Sequence, residues 1–168
     1  TNPAGGDSCG ECPSCRQMAK LIHPDVHFVF PVNKGPKSSD DKPTSESYLS
    51  YWRELALADP YFTESDLQKA IGIESRNGLI AVAEAKNIIN RLSLTAVGDG
   101  YKAVIFYLPE KMNQETANRL LKMVEEPPVN TLFIFITHAP EKVLQTIFSR
   151  WQSIRVMPLS KEEAARVK

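Results

Sequence analysis

Residues 103–137 read AVIFYLPEKMNQETANRLLKMVEEPPVNTLFIFIT, and the order of apolar runs and breakers in this stretch decides the fold. Ala103–Leu108 and Leu132–Thr137 are continuous apolar runs without polar alternation, the pattern of strands covered on both faces. Between them Asn113 offers an N-cap and Glu115 an acid in the first turn. Ala117, Leu120, Leu121 and Val124 then form a stripe at helical spacing, and Pro127-Pro128 forbid its continuation. Strand, helix, strand at this spacing predicts a parallel pair joined by a crossover helix.

Working outward, Val82, Ala85, Ile88, Ile89 and Leu92 predict a helix before the first run, closed by the turn Gly98-Asp99-Gly100. Val26–Phe30 has the β-branched and aromatic content of a strand. Downstream, Pro140 suits a first helical position, Val143, Leu144, Ile147 and Phe148 supply its stripe, and Ile154–Met157 reads as a short strand. Ser160 and Glu163 form a capping box for a helix that starts near the end of the chain. Between Asn33 and Glu46 the sequence is Pro, Ser and charge, a loop. From Tyr48 to Ile73 it turns helical, is broken at Pro60, and restarts at Thr63-Glu64-Ser65-Asp66. The expected organisation is a cysteine-rich segment at 1–25 and the body of an α/β domain at 26–158 with an insertion at 34–76 whose role is not legible, followed at 159–168 by a helix only begun. The fold class is α/β, a parallel sheet flanked by helices in three layers.

The chain has 168 residues, 42% hydrophobic and 24% charged, with twenty Lys+Arg against twenty Asp+Glu. This excludes a disordered or fibrous chain and gives no reason to expect sequence-blind binding to nucleic acid or anionic lipid. No apolar run approaches the ~18 residues of a membrane span. The chain begins at Thr1 with no signal-peptide pattern, so an internal piece of a longer, cytoplasmic protein without a membrane partner is the expectation.

Cys9, Cys12 and Cys15 form two overlapping C-x2-C pairs. Thiolates at this spacing can converge on one tetrahedral ion, and Zn2+ is the usual occupant. A closed site needs four ligands, and the residues leave the fourth open: His23, His27 or a residue preceding Thr1. Free thiols on a loop are the alternative, and a redox dithiol fits the flanking Gly/Asp/Ser coil poorly. There is no G-x-x-x-x-G-K-[ST] loop, so these residues do not build a P-loop. Where an NTPase places the acids that hold Mg2+, the strand end reads Tyr107-Leu108-Pro109-Glu110, and neither of the first two residues can ligate a metal. Glu110 follows a proline and is a weak catalytic candidate. His138 has no nucleophile beside it in the sequence. Thr137 ends the second run, where it could position a phosphate or water. Arg150, in Ser149-Arg150-Trp151, is by itself an ordinary cation at a helix C-terminus.

Taken together, the Cys9-x2-Cys12-x2-Cys15 cluster, His23-Pro24-Asp25, the unit Val82–Leu108, the run Asn118-Arg119-Leu120-Leu121-Lys122-Met123-Val124-Glu125-Glu126-Pro127-Pro128, the strand Leu132–Thr137 and Ser149-Arg150 closely resemble the AAA+ module of bacterial DNA polymerase III clamp-loader subunits. The resemblance covers the chain outside 34–76, and the N-x-LLK-x-x-EEPP run is its most specific part. It implies a P-loop-NTPase-like sheet whose P-loop strand lies upstream of Thr1, and a central position for that strand between 132–137 and 154–157. It also implies a fourth zinc cysteine immediately before Thr1, which favours that position over His23 or His27. The helix begun at 159–168 is, on the same resemblance, the entry to a lid domain.

Motor subunits of this family, gamma or tau, carry an Asp-Glu pair that falls on Tyr107 and Leu108 here. Its loss resembles the family's non-hydrolysing stator, which binds no ATP of its own and presents the Ser-Arg-Cys arginine to a neighbour's ATP. That role carries over to Arg150, with Ser149 kept and Trp151 in place of the Cys. Thr137 becomes a vestigial sensor of nucleotide. The implied partners are gamma/tau-type and delta-type subunits, with the sliding clamp and primer-template DNA met through the complex. A gamma/tau-type ATPase whose P-loop lies outside these residues is the alternative.

Overall fold

The computed structural model describes residues 7–93, 100–149 and 151–157. Three parallel strands, β1 (Val26–Val29), β2 (Lys102–Tyr107) and β3 (Thr131–Ile136), pair in the order β1-β2-β3. Around them lie α1 (Pro13–Ala19), α2 (Leu49–Ala58), α3 (Glu64–Ile71), α4 (Val82–Ser93), α5 (Gln114–Glu125) and α6 (Gln145–Phe148), with 3-10 turns at Ser45–Tyr48, Pro109–Lys111 and Pro140–Lys142. The α/β class and the parallel crossovers are therefore as the sequence predicts.

Local chemistry sets the element boundaries. The Asn113 Oδ1 accepts the Thr116 N–H at 2.8 Å and starts α5, as expected for its N-cap. Thr63 and Asp66 cap α3 reciprocally, the Asp66 Oδ2 accepting the Thr63 N–H at 3.0 Å and the Thr63 Oγ1 accepting the Asp66 N–H at 3.4 Å. Gly72, at φ +76°, ends that helix in the left-handed region that a side chain would resist.

Register places Phe28 beside Ile105 and Ile105 beside Ile134 on one face of the sheet, and Val29 beside Phe106 and Phe106 beside Phe135 on the other. The second of these faces carries the first core: Val29, Val104 and Phe106 pack against Ala85, Ile88 and Leu92 of α4, Ala117 and Leu120 of α5, and Ile147 of α6. Across β1, residues 34–76 build a second core from Tyr48, Trp52, Leu67, Ile71 and Ile73 with Phe30 and Val32. The Trp52 ring lies 4.4 Å from Phe28 and 5.7 Å from Phe30, so the aromatic content of the first strand anchors it. Each side chain fully buried in these cores contributes roughly 1.5–3 kcal/mol of transfer free energy.

Four expectations change. β3 is not covered on both faces by described residues: Phe133 and Phe135 pack inward, while Leu132, Ile134 and Ile136 are 50%, 39% and 44% exposed. An all-apolar run carries no alternation from which to read this. Ile154–Met157 forms no strand. It runs without ladder partners among the described residues, Ile154 and Val156 being 84% and 86% exposed, because β-branched content supplies no strand without a neighbour to pair with. After Pro140 the chain makes a 3-10 turn and then only the single helical turn α6. Conversely, α1 forms where coil was expected, with Pro13 at its first position. The Gly98-Asp99 part of the predicted turn, and Ser160 and Glu163, lie outside the described residues.

Candidate functional site

The thiol cluster sits on the loop that opens α1. Gly10 takes φ +74° and turns the chain so that Cys9 faces the helix start, and the Cys9 Sγ accepts the Cys12 N–H at 3.4 Å. The Cys12 Sγ in turn accepts the Cys15 N–H at 3.5 Å, which makes Cys12 the helix N-cap. The sulfurs of Cys9, Cys12 and Cys15 all lie within 4.8 Å of one another, and those of Cys9 and Cys15 are 3.7 Å apart. A tetrahedral ion with metal–sulfur bonds of about 2.3 Å separates its ligand sulfurs by about 3.8 Å, so the three thiols fit one metal ion. The Cys12 N–H is the main reason the Cys9 thiol is held down to about 6, while the Cys12 sulfur beside it pushes Cys15 up.

Neither histidine joins the cluster. His23 accepts the Asp25 N–H through Nδ1 at 3.2 Å and pairs its Nε2 with the Ser14 Oγ at 3.2 Å, so both ring nitrogens are engaged beside the site. His27 points instead to the α4 side of β1, where burial, then the Arg91 charge, pushes its pKa down. α1 buries none of its residues, so the cluster is a peripheral module.

The carboxyl end of β2 is closed. Tyr107 is half-buried, its ring 5.2 Å from Phe62 and its hydroxyl donating to the Phe62 carbonyl at 3.4 Å, and burial pushes its pKa up. Leu108 is 3% exposed and adopts φ 58°, a left-handed conformation that costs a leucine about 1–2 kcal/mol and turns the chain into Pro109–Lys111. Glu110 is turned toward β3, where its Oε2 accepts the Thr137 hydroxyl at 2.8 Å; Thr137 Oγ1 also accepts the Ala139 N–H at 3.0 Å. The next residue, Lys111, pairs with Glu64 of α3 at 2.7 Å. Thr137 is thus presented at a strand end with its proton already committed to Glu110, a partnership that sequence reading missed because the two are 27 residues apart. His138 meets the Tyr107 ring edge-on at 6.3 Å, with no nucleophile in that contact.

At the other candidate, Ser149 ends α6 with its N–H donating to the Gln145 carbonyl at 3.1 Å. The Trp151 ring stacks on Phe135, centroids 3.4 Å apart, so the residue standing where the resemblance expects a small cysteine is packed onto the sheet. Arg150 lies outside the described residues.

The fold is that of an α/β protein with a parallel sheet flanked by helices and a cysteine cluster before its first strand, and comparison with known proteins supplies the family. Residues 1–160 match the family described as DNA polymerase III, delta subunit, and the chain belongs to it. It is 28% identical over 148 residues to the DNA polymerase III subunit delta' of Pseudomonas aeruginosa, a match covering 88% of this chain and 32% of that protein. A shorter stretch of 69 residues is 39% identical to the DNA polymerase III subunit gamma/tau of Mycobacterium tuberculosis, covering 41% of this chain and 12% of that one. A crystal structure of a DNA polymerase III gamma subunit-related protein from Thermotoga maritima aligns at TM-score 0.46 and 20% identity over 89% of this chain and 47% of its own. The chain spans about a third of the length of the delta' relatives it matches. No described helix is long and apolar enough to cross a membrane.

Proposed function

We propose that this chain is the AAA+ part of a delta'-type stator in a cytoplasmic clamp loader: a subunit that does not hydrolyse ATP, assembles with gamma/tau-type motors and a delta-type subunit, and lends Arg150 to a neighbour's ATP. Through that assembly it serves sliding-clamp loading onto primer-template DNA by the polymerase III holoenzyme, the nucleotidyltransferase. The observation that carries this reading is the end of β2. A motor needs carboxylates there to hold Mg2+ and orient water; here Tyr107 is capped by Phe62, Leu108 is buried, and the next acid along the chain, Glu110, is bonded to Thr137.

A guanidinium that stabilises charge on a transferring phosphoryl group is worth about 10³–10⁵ in rate, so a subunit without its own chemistry is still required for turnover. Ser149 caps the end of α6 and Trp151 stacks on Phe135, which supports the reading that the chain on both sides of position 150 is held against the sheet. Thr137, its hydroxyl held by Glu110, is a sensor kept without a nucleotide to sense. Cys9, Cys12 and Cys15 would hold a metal ion such as Zn2+, which would supply a structural cross-link for the loop that opens α1. The family resemblance divides the chain into the zinc segment at 1–25, the AAA+ body at 26–158 with its insertion at 34–76, and a lid beginning at 159–168.

The gamma/tau match over 69 residues favours a motor as the second reading. Replacing Arg150 by Ala in the intact protein and measuring DNA-stimulated ATP turnover of the assembled loader tests the first. The finger role predicts a fall of at least a hundredfold at the affected site, and unchanged turnover refutes it.

A further inference from the structure

The geometry points to a proton-operated latch: the carboxyl of Glu84 fastens the 34–76 segment to the sheet, and its protonation sets how tightly that segment is held. Glu84 lies in the first turn of α4 on the same stripe as Ile88 and Leu92, so helix periodicity drives it into the core. It is 3% exposed. Its Oε2 accepts two donors from Ser45, the N–H at 2.7 Å and the hydroxyl at 3.0 Å. Ser45 is itself fully buried, and its Oγ accepts the Phe30 N–H at 2.9 Å and lies 3.1 Å from the Phe30 carbonyl. One carboxyl and one hydroxyl therefore join α4, the turn that begins the helical part of the segment, and the chain leaving β1. Ser45 adjoins both cores through Phe30 and α4, which places the latch at the seam between them.

Two forces oppose each other at this carboxyl. Burial disfavours its charged form, whereas the two Ser45 donors favour it. The charged groups facing it are few. Glu46, on the same turn, opposes ionisation, and Arg91, on α4, favours it, but Arg91 is itself paired with Glu46, as is Asn87. Beyond them, His27 of β1 sees the charges of Arg91, Asp25, Lys102 and Glu46. Burial is the largest influence and pushes the Glu84 carboxyl up to about 7. Between its ordinary range and that value the native protein holds a proton that the unfolded chain does not. Attachment of the segment is therefore strongest at and below the ordinary carboxylate range, weakens as pH rises from there through about 7, and levels off above it. Loss of a carboxylate's charge ordinarily weakens an ion pair such as Lys111–Glu64, so the latch responds with the opposite sign.

The test is backbone hydrogen exchange at Ser45–Tyr48 in the protein at pH 6 and pH 8, corrected for intrinsic exchange rates, in the wild type, in Glu84→Gln and in Glu46→Gln. The latch predicts that protection falls by up to about tenfold from pH 6 to pH 8 in the wild type, falls in the same direction in Glu46→Gln, and stays flat in Glu84→Gln. A flat wild type, or a pH dependence that survives in Glu84→Gln, overturns it. Should Glu84→Gln fail to fold, the carbon-13 titration of the Glu84 carboxyl in the wild type decides: a midpoint near neutrality supports the latch, and one in the ordinary carboxylate range overturns it.

Discussion

Phe28 and Ile134 share one face of the same sheet, two strands apart, yet Phe28 lies under Trp52 in a closed core while Ile134 is 39% exposed. Both come from apolar runs of similar character, so strand hydrophobicity does not make the difference. What differs is the covering layer. Residues 34–76 lay α2 and α3 over the β1 side of that face, and no described element does the same over β3. Coverage follows from which connections carry helices, a property of chain routing that a strand's own residues do not encode.

The largest expected effect lies on the covered side. Trp52→Ala removes the ring that fills the space between Phe28, Phe30 and Phe62, and should cost about 3–5 kcal/mol in urea denaturation. Ile134→Ala should cost well under half as much. Equal losses would break the contrast between the two sides.

Next is the pH response of that same layer. The raised Glu84 carboxyl makes stability fall as pH rises from about 4.5 through 7, by at most about 3 kcal/mol, and Glu84→Gln should remove this dependence. A denaturation series from pH 5 to pH 8 reads it directly.

Removing the α3 cap with Thr63→Ala should cost about 1 kcal/mol and loosen the segment without disturbing the first core, which amide exchange in α5 would verify. Smallest is the open side. Ile134→Lys should change stability by about 0.5 kcal/mol or less. The outer edge of β3 has no ladder partner among the described residues, so Ile134→Lys should also suppress the weak, concentration-dependent self-association that such an edge invites, and sedimentation that is already concentration-independent in the unsubstituted protein would refute that edge effect.

How legible all this was varies with the physics. Asn113, the Thr63–Asp66 box and the apolar stripes foretold their helices, because caps and periodicity act within a few residues. The cysteine cluster was legible for the same reason, its spacing alone bringing three sulfurs together. The bond between Glu110 and Thr137 and the cap of Phe62 on Tyr107 join residues 27 and 45 positions apart, the second core packs β1 against a later helix, and none of these left a local mark. Glu84 was the exception that could have been found: an acid on the stripe of Ile88 and Leu92 needs a buried partner, and only the identity of Ser45 was out of reach. Ile154–Met157 has strand propensity without a pairing partner among the described residues, and propensity alone makes no strand.

The proposed stator role is that the intact subunit contributes to ATP turnover without performing it. ATP hydrolysis by the intact subunit alone, then with gamma/tau-type partners and primed DNA added, tests that claim most directly. The account predicts no turnover above background in isolation and stimulation only in the assembly, whereas sustained turnover by the isolated subunit would contradict it.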